Sequence, residues 1–149
     1  MPNQTLHLTG AAARQLLSQS WWDQRARFSL FVSQVVVDEC LAGSPTAAQE
    51  RLQLIAGVQV LEVSSDAKRL AAELIKSLGI PPTEPRDALH IAVAATNGLQ
   101  YLLTWNFRHI ANAETRGLIE RICRDGGYVP PSICSPDELL GTYTSRGHE

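Results

Sequence analysis

"PTEPRDALHIAVAATNGLQYLLT", residues 82–104, decides how this chain is built. From Ala88 to Ala95 it is apolar except for His90, a run too long for an ordinary strand and suited to a helix buried on most sides. Thr83 reads as the N-cap, with Glu84 and Pro85 as the first helical residues. Asn97 and Gly98 close the helix, and Tyr101 to Thr104 follow as a short apolar strand. A buried helix that feeds a buried strand is half of a parallel β/α unit.

The same alternation extends in both directions. Upstream, "ARQLLSQSWW" offers a helix and "FSLFV" (Phe28 to Val32) a buried strand. Ser33 stands where an N-cap would for "QVVVDECLAG", with Gly43 as a stop, although the β-branched Val35, Val36 and Val37 equally suit a longer strand. Ser44 and Pro45 read as cap and first residue of a helix through about Ile55. "VQVLEV" (Val58 to Val63) is the next strand. Ser65 and Asp66 open a helix that ends near Leu78, with Gly79, Pro81 and Pro82 preventing continuation. Downstream, "AETRGLIERICRD" is a helix stopped by Gly126 and Gly127, and "SIC" is a last strand before "PDELLG". The expected class is α/β, three layers in the order α/β/α around a central parallel sheet.

Composition bounds the rest. A chain of 149 residues, 44% hydrophobic, suits one compact domain. Thirteen cations against fifteen anions give a net charge of -2, which excludes the strongly basic footprint of a dedicated nucleic-acid binder. Eleven of those cations are arginines, so a local phosphate-pairing face stays open beside the plainer reading of solvated helix surfaces. Three cysteines, Cys40, Cys123 and Cys134, without CxxC spacing, argue against a disulfide framework and a zinc site. The beginning "MPNQTLHLTG" has no signal-peptide pattern and no stretch approaches a membrane span, so the expected location is cytoplasmic.

In parallel sheets ligands bind beyond the carboxyl ends of the strands, where the helices begin. Three residues fall there: Glu39 after Ser33, Asp87 near the start of its helix, and Asn106 just past the strand Tyr101 to Thr104. With Thr83 as cap, Asp87 falls about one turn inside an apolar helix, where a carboxylate needs a partner. Arg86, a metal ion, or His90 at i+3 each meet that need. Taken singly, Glu39 also suits a solvated helix face beside Asp38, and Asn106 a turn. Trp21 and Trp22 read as core or interface anchors.

"LFVSQVVVDECLAG", "IPPTEPRDALHIAVAATNGLQYLLTWNFRHIANA" and "GYVPPSICSPDELLG" together resemble a subgroup of the PIN-domain family, the fold of VapC-type toxins of bacterial toxin-antitoxin systems. The resemblance covers about Trp21 to Gly141 and implies a single PIN-like domain over residues 1–141 with a loose tail over 142–149. It implies a metal-dependent ribonuclease in which Mg2+ or Mn2+, held by acids at the sheet edge, activates water against an RNA phosphodiester. Carried over, Glu39 and Asp87 are the metal-binding acids, and Asn106 joins them as a catalytic residue where many relatives have a further acid. Implied partners are an RNA substrate, a cognate antitoxin and a second copy in a homodimer, with no membrane. Mg2+ suits such a set, because hard cations take oxygen ligands and keep waters.

One family feature is missing from these residues: a first strand ending in "DTS" or "ETS". "TLHLT" stands near its place and "AAARQLLSQSWW" resembles the helix that follows it. The expectation is a sheet that lacks or replaces its first strand, either because the chain starts late or because "TLHLT" substitutes, and that has one metal-binding acid fewer. Two readings follow: an active nuclease using Glu39 and Asp87, or a catalytically weak or inactive PIN-like domain acting through dimerisation or antitoxin binding.

Overall fold

The computed structural model describes residues 4–8, 28–42, 44–54, 56–78, 85–103 and 113–134. Strand β1 (Gln4–Leu8) is followed by β2 (Phe28–Ser33), α1 (Gln34–Leu41), α2 (Pro45–Leu54), β3 (Gln59–Leu61), α3 (Ser65–Leu78), α4 (Arg86–Thr96), β4 (Tyr101–Leu103), α5 (Ala113–Asp125) and β5 (Ser132–Cys134). The strands form one parallel sheet in the order β3-β2-β1-β4-β5. The expected α/β class and parallel sheet are therefore present. "ARQLLSQSWW", Trp21, Trp22, Thr83, Asn106 and the tail lie outside the described residues.

The first strand is replaced rather than absent. Gln4–Leu8 occupies the middle of the sheet, with Leu6 opposite both Leu30 of β2 and Tyr101 of β4. Alternation along the strand turns Thr5 and His7 to one face. Reciprocal bonds pin its start, since the Thr5 N–H donates to Gln100 Oε1 (3.1 Å) and the Gln100 N–H donates to Thr5 Oγ1 (2.9 Å).

Register places Gln59, Phe31, His7, Leu102 and Ile133 in one row across the sheet. Phe31, Leu102 and Ile133 of that row pack into the main apolar cluster, which is built from α3, α4 and α5. Helix α3 offers Ala67, Leu70, Ala71 and Leu74, the i, i+3, i+4, i+7 stripe of an amphipathic helix. Helix α4 is buried almost all round, from Ala88 to Ala95 except Leu89, which packs partly buried against the same cluster. Its alanines allow close approach, while Ile91 and Leu74, both fully enclosed, each contribute about 2 kcal/mol by leaving water.

Helix ends follow local chemistry. Ser44 Oγ accepts from the Ala47 N–H (3.3 Å) at the start of α2. For α3 the cap is Ser64, one residue before the expected opening, its Oγ accepting from the Ala67 N–H (3.1 Å). Helix α4 ends in a Schellman motif: Leu99 N–H bonds the Ala94 carbonyl, Gly98 N–H bonds the Ala95 carbonyl, and Gly98 takes φ +67°. The conflict at Val35 to Val37 is resolved as helix. Val35 and Val36 are buried in α1, so packing outweighs the β preference of single residues.

One expectation fails. Helix α4 begins at Arg86, with Pro85 at the N-cap, so Asp87 lies in the first turn and not a turn inside. Proline has no N–H to offer, and the first helical bond runs from the Leu89 N–H to the Pro85 carbonyl (2.9 Å). A carboxylate in a first turn gains from the helix dipole, so placement alone no longer demands a partner for Asp87.

Candidate functional site

Helix α4 leads into β4, so its N-terminus lies at the carboxyl edge of the sheet; α1 starts there too, directly from the end of β2. Two sequence-picked residues lie on the helices that adjoin this edge. Glu39, on the last turns of α1, is half-buried, and its Oε2 accepts from Arg86 Nη1 at 3.0 Å across to the first turn of α4. Asp87, half-buried, is the next residue along α4. Two of the side chains named as candidates for Asp87, Arg86 and His90, also lie against Glu39: His90 Nε2 stands 3.8 Å from Glu39 Oε1.

Behind Glu39 runs a polar thread into the core. His90 Nδ1 is 3.0 Å from Nε2 of His7, the central residue of β1, with the ring centroids 5.1 Å apart. Both rings are buried. Burial lowers the pKa of His7 to about 4, partly offset by the nearby Phe31 backbone. Burial, then the charges of His7 and Arg86, hold His90 well below the ordinary histidine range. Near neutral pH both rings are uncharged, each with one N–H and one lone pair.

Among the described residues three buried polar atoms here make no hydrogen bond: His7 Nδ1, Glu39 Oε1 and the hydroxyl of Ser33, the last residue of β2. Ser33 holds the expected N-cap position of α1 but its side chain makes no capping bond. Strand alternation gives it the same face as His7. Cys123, in α5, is no rival nucleophile, because burial pushes its thiol up to about 11. None of the three cysteines is in a disulfide, and Cys40 and Cys123 are buried.

Sequence reasoning missed His7. Its signal was the period-two pattern Thr5, His7, Thr9 against Leu6 and Leu8, which marks a strand and puts an imidazole on its inward face. Asn106 lies outside the described residues.

The family model for the PIN domain matches residues 8–115. The chain belongs to the PIN-domain family. Solved structures share its fold. They include VapBC2 from Rickettsia felis bound to a DNA fragment from the VapBC2 promoter (14% identity, TM-score 0.57, 72% of this chain and 92% of that one). A toxin-antitoxin complex from Klebsiella pneumoniae is similar (16%, 0.56, 74% and 93%). So is VapC20 of Mycobacterium tuberculosis, a sarcin-ricin loop cleaving toxin (16%, 0.53, 71% and 93%). No curated protein matches. Within this PIN domain the matched region begins at Leu8, so His7 falls just outside it while Glu39, Asp87 and Asn106 fall inside.

A divalent cation of the kind PIN domains use fits part of this edge. Among the described residues no three of His, Cys, Asp and Glu converge into a ready cage. The orphaned, buried Glu39 Oε1 is nevertheless an acceptor in need of positive charge, and Arg86 leaves it open by taking Oε2. An oxygen of this kind is one that a hard cation such as Mg2+ or Mn2+, otherwise completed by water, would take.

Proposed function

We propose that this PIN domain is a metal-dependent ribonuclease, the toxin component of a toxin-antitoxin pair, that hydrolyses RNA phosphodiester bonds. Glu39 Oε1, buried and without a donor at the carboxyl edge, carries the reading. Glu39 and Asp87 would hold Mg2+ or Mn2+, and Asn106 would orient substrate or water. When bound, the ion supplies a water of lowered pKa and positive charge against the phosphate. Of the chain's own residues, Glu39 fixes one side of the site from α1, Asp87 lies in the first turn of α4, and exposed Arg86 is placed to steer a phosphate. The sarcin-ricin specificity of VapC20 makes a structured RNA loop the first substrate to try. An antitoxin, a homodimeric assembly and a cytoplasmic setting belong to the same proposal; among the described residues no helix is long and apolar enough to cross a membrane.

A second reading, a catalytically weak or inactive PIN domain that works through dimerisation or antitoxin binding, is favoured by β1. That strand, Gln4–Leu8, contains no acid, and its inward residue His7 is committed to His90. Incubation of purified protein with hairpin RNA and Mn2+ or Mg2+ separates the two. Cleavage that EDTA stops, and that Glu39→Gln and Asp87→Asn each reduce at least 100-fold with unchanged circular dichroism, is the expected result. An inert wild-type chain at saturating Mn2+ would overturn the nuclease reading and leave the second.

A further inference from the structure

The buried polar atoms that make no hydrogen bond among the described residues, His7 Nδ1, Ser33 Oγ and Glu39 Oε1, come from three elements yet follow one thread. His7 and Ser33 are both 0% exposed. His7 stands opposite Phe31 across β1 and β2. Ser33 comes two residues after Phe31 on the same face, roughly 7 Å further toward the carboxyl edge. Glu39 reaches that edge from α1, and its Oε1 lies 3.8 Å from Nε2 of His90, the ring bonded to His7. A buried hydroxyl or ring nitrogen is costly when it bonds nothing. Three such atoms in succession along one polar thread point to a shared partner that the chain itself does not supply.

We propose that Ser33, His7 and Glu39 bound an internal hydration site, in which one or two long-lived waters bond the Ser33 hydroxyl and complete His7 Nδ1 and Glu39 Oε1. The inventory of donors and acceptors selects water as the ligand. Glu39 Oε1 only accepts, the hydroxyl both donates and accepts, and a neutral imidazole nitrogen does one or the other. A cation serves the acceptors alone, and a carboxylate refuses an anion. Water donates and accepts, and a buried water typically makes about three such bonds. Phe31 and Leu102, the neighbours of His7 in its row, have apolar side chains and cannot replace it. The site goes beyond the nuclease reading, since it needs no bound cation. It gives a task to Ser33, which holds the N-cap position of α1 but makes no capping bond with its side chain. Its hydroxyl anchors a wet path from the carboxyl edge to the buried imidazoles.

The test compares the full wild-type chain with Ser33→Ala, both in EDTA, by oxygen-17 magnetic relaxation dispersion, which counts long-lived waters, and by urea melts. The variant should hold at least one long-lived water fewer, and its unfolding equilibrium constant should rise about threefold or more, because the water loses a partner. A dry hydroxyl gives the opposite sign, since deleting a buried polar group that bonds nothing removes a cost and stabilises the fold. An unchanged water count, or an unfolding constant that does not rise, overturns the inference. Either result leaves the nuclease reading standing, because no cation or RNA takes part. Should Ser33→Ala fail to fold, wild-type crystals decide: water density within about 3.2 Å of Ser33 Oγ upholds the site, and its lack overturns it.

Discussion

At the residue scale, His7 ties stability to pH. Its pKa is about 4 when folded against 6.5 as the ordinary value, so between those values the unfolded chain binds the proton and the folded one does not. Stability is then complete above about pH 6.5 and falls as pH drops towards 4, by on the order of 3 kcal/mol from this ring alone. The displacement of His90 acts in the same direction. Urea melts in EDTA buffer at pH 7.5, 6.0 and 5.0 check this: the midpoint should fall steadily, and His7→Asn should flatten the slope. Arg86 makes a different prediction. Its pair with Glu39 is mostly solvent-exposed on the arginine side, so Arg86→Gln should cost less than about 1 kcal/mol. Removing the guanidinium also takes away a positive charge that competes for Glu39, so calorimetric Mn2+ affinity should rise several-fold.

At the element scale, α4 was the most readable part of the chain and also the source of the clearest error. Its apolar run, its Asn97-Gly98 stop and the strand after it all stand as the pattern implies, because continuous burial and a left-handed glycine leave few alternatives. The start was misread because Thr83 is a strong capping residue by type, while the backbone begins the helix after Pro85. In α1 neither cap chemistry nor propensity decided; burial of Val35, Val36 and Cys40 did, which single-residue preferences do not contain. Two substitutions separate the contributions within α4. Ile91→Ala removes a fully enclosed side chain and should cost about 2–5 kcal/mol in denaturant melts. Gly98→Ala meets no atom within 4 Å, so its cost is conformational only, about 1 kcal/mol from φ +67°.

At the scale of the whole molecule, β1 joins the two halves of the sheet, since β2 and β3 lie on one side of it and β4 and β5 on the other. Glu39 and Asp87 were picked out in the sequence because acids at helix starts and ends around a parallel sheet stand out against apolar neighbours. The polar thread behind Glu39 was not, because it needs a strand, a helix and a tertiary register that no local pattern contains. That register makes one change diagnostic. Leu6→Pro removes an N–H from the central strand, opposite both Leu30 and Tyr101, where a proline has no edge to retreat to. The expected cost is about 3 kcal/mol or more, with hydrogen exchange accelerating in β2 and β4 together. Exchange confined to residues 4–8 would instead show that the two halves hold each other without β1.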